Sequence, residues 1–147
     1  LRATYAIKTT PFVSGDADFG KSFLIGELIE QNIDVVGAAP NKARGIVVSY
    51  DKSNGIIQYV ETSMTADPSN GEQYSFSGSN NIKGLTSGLE ASPEVGVTTE
   101  VDGINFVGGY ANPEITKFTG MMTYLTNISP ITRDPLQSER INLVIAF

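Results

Sequence analysis

The chain contains no cysteine, no histidine and no tryptophan. Without cysteine there are no disulfide staples, no zinc–thiolate centres and no thiol nucleophile, and the redox compartment is left open. Without histidine the chain lacks the commonest general base, the commonest transition-metal ligand and the usual pH switch. Positive charge is also scarce. Ten basic residues face 16 acidic ones, for a formal charge of −6, and the tightest basic grouping is Lys42 with Arg44. A nucleic-acid surface needs clustered cations to displace counterions, so nucleic acid is not an expected partner. No apolar run approaches the roughly 18 residues of a spanning helix, and the N-terminus shows no charged-then-apolar signal pattern. A membrane is not an expected partner either.

What is present reads as β structure. The 147 residues suffice for one domain with a core. The chain begins at Leu1, as expected for a processed product or one piece of a longer protein. Fifteen glycines and seven prolines are scattered along it. They predict a single mainly β domain over 1–147: an antiparallel β-sandwich or small barrel-like unit with long loops and at most one short helix. The clearest unit is RGIVVSY–DKSN–GIIQYV. Ile46, Val48 and Tyr50 fall on one face, Val47 and Ser49 on the other, and Asn54-Gly55 supplies the positive-φ turn positions of a β-hairpin. Val95–Val101 and Ile104–Val107 predict a second hairpin around Asp102-Gly103. Ala3–Thr9 alternates weakly as a strand. Phe23–Ile29 reads as a strand bent at Gly26, with a short helix as the other option. Residues 65–81 form a long polar connection with room for a short strand around Tyr74 and Phe76. Residues 86–93 read as a loop, and Pro113–Phe118 offers one helical turn capped by Asn112.

Enzymatic patterns find little support in such a chain. Gly15–Ser22, GDADFGKS, satisfies the bare phosphate-loop pattern. That mechanism needs a buried strand before the loop and a long helix after it, and two aspartates within it would repel phosphate. Asp16 and Asp18 also open like a calcium loop, but Lys21 stands where an EF-hand needs glycine; an irregular calcium site stays open beside a plain turn. Nucleophilic catalysis lacks its base, and no S-x-x-K step falls where catalysis would need one. Glu27 and Glu30 flank an apolar run, with partial burial or a solvated face both open. The paired carboxylates of a glycosidase have no visible aromatic-lined cleft. The expectation is a non-enzyme without cofactor or metal.

The last 28 residues, Gly120–Phe147, place two strand-like runs around a connector containing Pro130 and Pro135. Ile141, Leu143, Ile145 and Phe147 alternate onto one face, and a chain end inside such a run is expected to be tied into a sheet or against a neighbour. Gly120, Tyr124, Asn127, Pro130, Arg133, Gln137, Glu139 and Phe147 together resemble the C-terminal end of baseplate wedge subunits of contractile-tailed, T-even-like bacteriophages. The resemblance covers about a fifth of the chain. It implies a structural component of the virion, made in the host cytoplasm and placed in the tail baseplate. Its partners would be other tail or baseplate proteins, or further copies of itself. Candidate assembly contacts are Arg133, Gln137, Glu139 and Phe147. Two readings of Arg133, Gln137 and Glu139 stay open: bracing of their own connector, or direct contact with a neighbour. Tyr74, Phe76, Tyr110 and Phe118 are candidate apolar anchors, with burial in the core the commoner fate of such rings. The competing expectation is a carbohydrate-binding or adhesin-like module on a virion or cell surface, against which the lack of tryptophan counts modestly.

Overall fold

The structure is a computed structural model that describes residues 1–33, 40–115 and the single positions 124, 143 and 145. The chain divides into two compact units, Leu1–Ile115 and Thr116–Phe147. The first unit is mainly β. Its strands are β1 (Tyr5–Lys8), β2 (Leu28–Ile33), β3 (Asn41–Asp51), β4 (Ile56–Val60), β5 (Ile82–Gly84), β6 (Glu90–Ala91), β7 (Glu100–Val101), β8 (Ile104–Asn105) and β9 (Tyr110–Ala111). Among the described residues the only helical element is a single 3-10 turn, Ser63–Thr65, and no helix is long and apolar enough to cross a membrane.

Seven strands form one antiparallel sheet in the order β6-β5-β2-β3-β4-β1-β9. The sheet curls until its ends meet. Thr9, just past β1, bridges Pro93, just past β6. The Thr10 amide donates to the Ser92 carbonyl at 3.0 Å and the Glu94 amide to the Lys8 carbonyl at 2.9 Å. Lys8 Nζ then pairs with Glu94 Oε2 at 2.8 Å. The result is barrel-like, with the β6 end of the sheet tied back to β1, the strand next to its other end. The interior holds Ile7, Ile29, Val47, Ile57, Tyr59 and Ile82, with Phe23, Phe76 and Leu89 supplied by loops. Full burial of each large apolar side chain contributes roughly 1.5–3 kcal/mol. A second, smaller core lies on the outer face of β1, β4 and β9. There Ala6, Ile56 and Ala111 meet Ile104 and Phe106 from the β7–β8 hairpin.

The predicted β3–β4 hairpin is present, but its core face differs from the alternation. Ala43 and Val47 are buried while Val48 is exposed. The pairing steps from Val47↔Tyr59 to Ser49↔Gln58, so Val48 is the extra residue of a β-bulge. The bulge returns Tyr50 to the core side, opposite Ile57, where it meets Phe23 edge-on at 5.1 Å. Gly45 also belongs to the core face: a Cβ there would overlap the ring of Tyr59, which stacks on Tyr5 at 5.2 Å. In the hairpin turn only Gly55 has positive φ, +64°. The Asp102-Gly103 hairpin has both turn residues at positive φ, 51° and 73°, as a two-residue I′ turn requires, but its strands are only Glu100–Val101 and Ile104–Asn105, shorter than the predicted Val95–Val101 and Ile104–Val107.

The structure corrects four expectations. β2 begins at Leu28 and runs on to Ile33, so the strand follows Gly26 instead of bending through it. Tyr74 and Phe76 lie in an irregular connection, not a strand, although Phe76 is buried. Residues 86–93 include β6, whose two residues are too few to show alternation and are held by pairing with β5. Asn112–Ile115 is not helical; the Glu114 amide instead donates to the Arg2 carbonyl at 2.8 Å. Residues 116–118 of that predicted turn lie outside the described residues.

Candidate functional site: two surfaces of the closed sheet

The turn that leads into β2 and the loop between β5 and β6, at one end of the curled sheet, are bound together by a buried carboxylate. Leu24–Glu27 is a tight turn closed by the Glu27 amide on the Leu24 carbonyl at 3.1 Å. Gly26, at φ +86°, supplies the left-handed position that a type II turn requires. Glu27 is 5% exposed. Its Oε1 accepts the Leu24 amide at 2.7 Å and Ser87 Oγ at 3.0 Å; its Oε2 accepts the amides of Thr86 at 3.2 Å and Ser87 at 2.9 Å. Four donors offset the cost of burying the charge. On this frame the apolar side chains point outward. Ile25 at the turn tip is 79% exposed, Leu24 48%, Leu85 in the adjoining loop 45% and Val48 at the bulge 41%. Main-chain bonds adjoin these loops: Gly26 N to Val47 O at 2.8 Å and Leu85 N to Leu28 O at 2.9 Å.

Residues 10–22 lie at the same end. Here Phe19 and Val13 are exposed, and the charges are committed internally. Asp16 Oδ2 accepts the Val13 amide at 2.8 Å. Lys21 pairs with Asp18 at 2.6 Å. Lys52 reaches across from the β3–β4 turn to donate to the Phe19 carbonyl and sits 5.0 Å over the Phe19 ring. Asp51 is capped by Asn54 Nδ2 at 2.7 Å and the Ser53 amide at 2.9 Å; the Asn54 hydrogen bond leads in holding its carboxyl below the usual range. The phosphate-loop pattern therefore has neither its strand nor its helix, and its lysine is engaged by an aspartate of the same loop. Among the described residues no cluster of three or more carboxylates could hold a metal ion.

The outer face of β6, β5, β2 and β3 is polar. Pair by pair, Glu90 faces Lys83, Lys83 faces Glu30, and Glu30 faces Arg44. Charge thus alternates in a row across four strands. Lys83 pairs with Glu90 at 3.2 Å; Glu30 takes Lys42 at 2.5 Å on one oxygen and Arg44 at 2.7 Å on the other. Burial pushes the Glu30 carboxyl upward, but Lys42 and Arg44 outweigh it and hold the group below the usual range. Beside this row lies a cleft of about 710 Å³ lined by Glu30, Asn32, Ser79, Asn81, Lys83 and Glu90 among others.

Of the sequence-predicted candidates, Arg133, Gln137, Glu139, Phe147 and Phe118 lie outside the described residues. Phe76 is core, against Tyr59 at 4.8 Å. Tyr74 is half-buried, and its hydroxyl accepts Asn70 Nδ2 at 2.9 Å. Tyr110 leans into the core, where its hydroxyl accepts Gln31 Nε2 at 3.1 Å and donates to the Gly78 carbonyl at 2.7 Å. The sequence left Glu27 and Glu30 open between partial burial and a solvated face, and the structure gives Glu27 burial and Glu30 a pair of cations. The sequence did not point to Ile25 or Val48 as surface groups, since each sits in an apolar run, nor to Leu85, a lone apolar residue among polar and glycine neighbours. The one local sign was the glycine after Ile25. No known protein family, curated protein or solved structure matches this chain.

Proposed function

We propose that this chain is a non-catalytic structural component of a contractile phage tail baseplate, joining neighbouring subunits through loops, sheet edges and its C-terminal segment. Two independent considerations support the reading. The pattern from Gly120 to Phe147 resembles the C-terminal end of baseplate wedge subunits. The observation that carries it is the exposed apolar group of Leu24, Ile25 and Leu85, set on loops that Glu27 ties together, with Val48 at the neighbouring β3 bulge. Large apolar side chains displayed on a preorganised frame suit contact with another protein, because little ordering entropy remains to be lost on binding. Deleting the gene and imaging the particles tests this. The expected result is tails that lack a complete baseplate and are restored by supplying the chain in trans; complete, infectious baseplates made without it would end the proposal. Arg133→Ala then divides the two roles of the connector. Loss of assembly with an unchanged monomer melting temperature would assign Arg133 to a neighbour.

The polar cleft favours a second reading, a carbohydrate-binding module. Amides and paired charges around an open cleft match the hydroxyls of a sugar, although no aromatic ring is among its lining residues. Glycan-array binding that disappears in Asn81→Ala would support it.

A further inference from the structure

We infer that the loop end built on Glu27 is a docking face for an uncharged, apolar surface of a different protein subunit, with Ile25 as its central anchor. This inference rests on the structural role proposed for the chain and names the chemistry of the neighbour. Topology gathers Val13, Phe19, Leu24, Ile25, Val48 and Leu85 at the end of the sheet where β1 and β3 finish and β2 begins. The charges there choose the occupant. Lys21 is spent on Asp18 and Lys52 on the Phe19 carbonyl, while the carboxylates of Asp16, Asp51 and Glu27 are taken by local donors. A highly charged partner would find these groups already hydrogen-bonded within the chain and would recover little of its own desolvation. An anionic lipid surface is disfavoured for the same reason: both cations are engaged, three aspartates stand beside them, and the chain carries −6 overall. A second copy would bring that same charge against itself. An uncharged apolar face remains, and burying Ile25 and its neighbours would supply the affinity.

The test is a titration of the full-length chain against each tail structural protein encoded in the same genome, purified singly, at low and high salt. Three variants accompany the wild type: Ile25→Asp, Leu85→Asp and Met64→Asp. Met64 is equally exposed, at 79%, but lies at the opposite end of the sheet beyond β4. All three sites are on the surface, so melting temperatures should match the wild type, and Ile25→Asp and Leu85→Asp each report alone if the other fails to fold. The expected result is one partner bound equally at both salts. Its affinity falls about tenfold or more in Ile25→Asp and Leu85→Asp and is unchanged in Met64→Asp. Retained affinity in the folded Ile25→Asp variant, equal loss in Met64→Asp, or a steep fall with salt would overturn the site. Sedimentation as a dimer that Ile25→Asp dissolves, or binding to anionic lipid vesicles that it abolishes, would assign the face to another occupant. If none of the tail proteins binds the wild type, the structural reading falls and this inference with it; binding that ignores the variants removes the inference alone.

Discussion

Tyr50 shows how a single residue can be both well packed and imperfectly satisfied. The bulge at Val48 turns its ring onto Phe23 and the core, yet its buried hydroxyl has no hydrogen-bond partner among the described residues. Burial first, and the nearby Asp51 second, raise its pKa, so the group stays neutral at ordinary pH. An unmade buried hydrogen bond costs about 1–3 kcal/mol, whereas an apolar replacement of the same shape carries no such cost. Tyr50→Phe is therefore expected to leave stability unchanged or raise it by about 1 kcal/mol, read from the denaturant midpoint at constant slope; a loss of similar size would mean the hydroxyl is satisfied after all. Nothing in the sequence marked this hydroxyl, because whether a tyrosine finds a partner depends on which loop crosses it. The carboxylates of Glu27 and Glu30 were better signposted. Acidic residues beside an apolar run must either turn outward or collect donors, and both collected donors.

At the scale of elements, the β3–β4 hairpin was legible from composition: β-branched and aromatic runs around an Asn-Gly turn. Its core face was not. A bulge shifts the phase of alternation by one residue, and no local preference located it between Val47 and Ser49. The turn itself is fixed by Gly55, which is at φ +64° and whose added Cβ would overlap the Thr9 carbonyl oxygen. That carbonyl belongs to backbone, which cannot swing aside like a side chain. In addition, the Thr9 amide and hydroxyl both donate to the Gly55 carbonyl, at 2.7 and 2.8 Å. Gly55→Ala should therefore cost about 2 kcal/mol or more, combining left-handed strain with displacement of the chain that closes the barrel. Thermal unfolding would measure it; a change within experimental error would show that the turn relaxes freely. The short strands β5, β6 and β9 escaped sequence reading because two or three residues carry no usable period. They exist only because neighbours offer edges to pair with: β2 for β5, β5 for β6 and β1 for β9.

At the scale of the whole molecule, stability should depend on pH through two opposed groups of carboxylates. Asp67 is held below the usual range, first by the Ser69 hydroxyl and then by backbone amides. Asp51 and Glu30 are likewise lowered. A carboxyl with depressed folded pKa contributes stability that is present above its unfolded value, near 4, and is lost as pH falls through the folded value. Glu61 has the opposite sign. Burial raises its pKa against the Tyr5 hydrogen bond, so its contribution is present at low pH and is lost as pH rises through the folded value. Midpoints measured across acid and neutral pH should fall steeply below about 4. Glu61→Gln should raise the midpoint at neutral pH more than at pH near 4. An equal shift at both would show that Glu61 is not desolvated.

The sequence by itself determined the class of the fold and the absence of thiol, imidazole and indole chemistry, because composition and β-period are local properties that survive any arrangement. It also located both hairpin turns, at Asn54-Gly55 and Asp102-Gly103, although in the first pair only Gly55 adopts positive φ. Only the tertiary structure decided which face of β3 is core, that the sheet curls until Thr9 meets Pro93, and that Ile25, Leu85 and Val48 stand outside. These depend on register and on loops distant in sequence meeting in space. An apolar residue on a turn and one in a strand look alike until the hydrogen bonds of Glu27 decide which of them faces water.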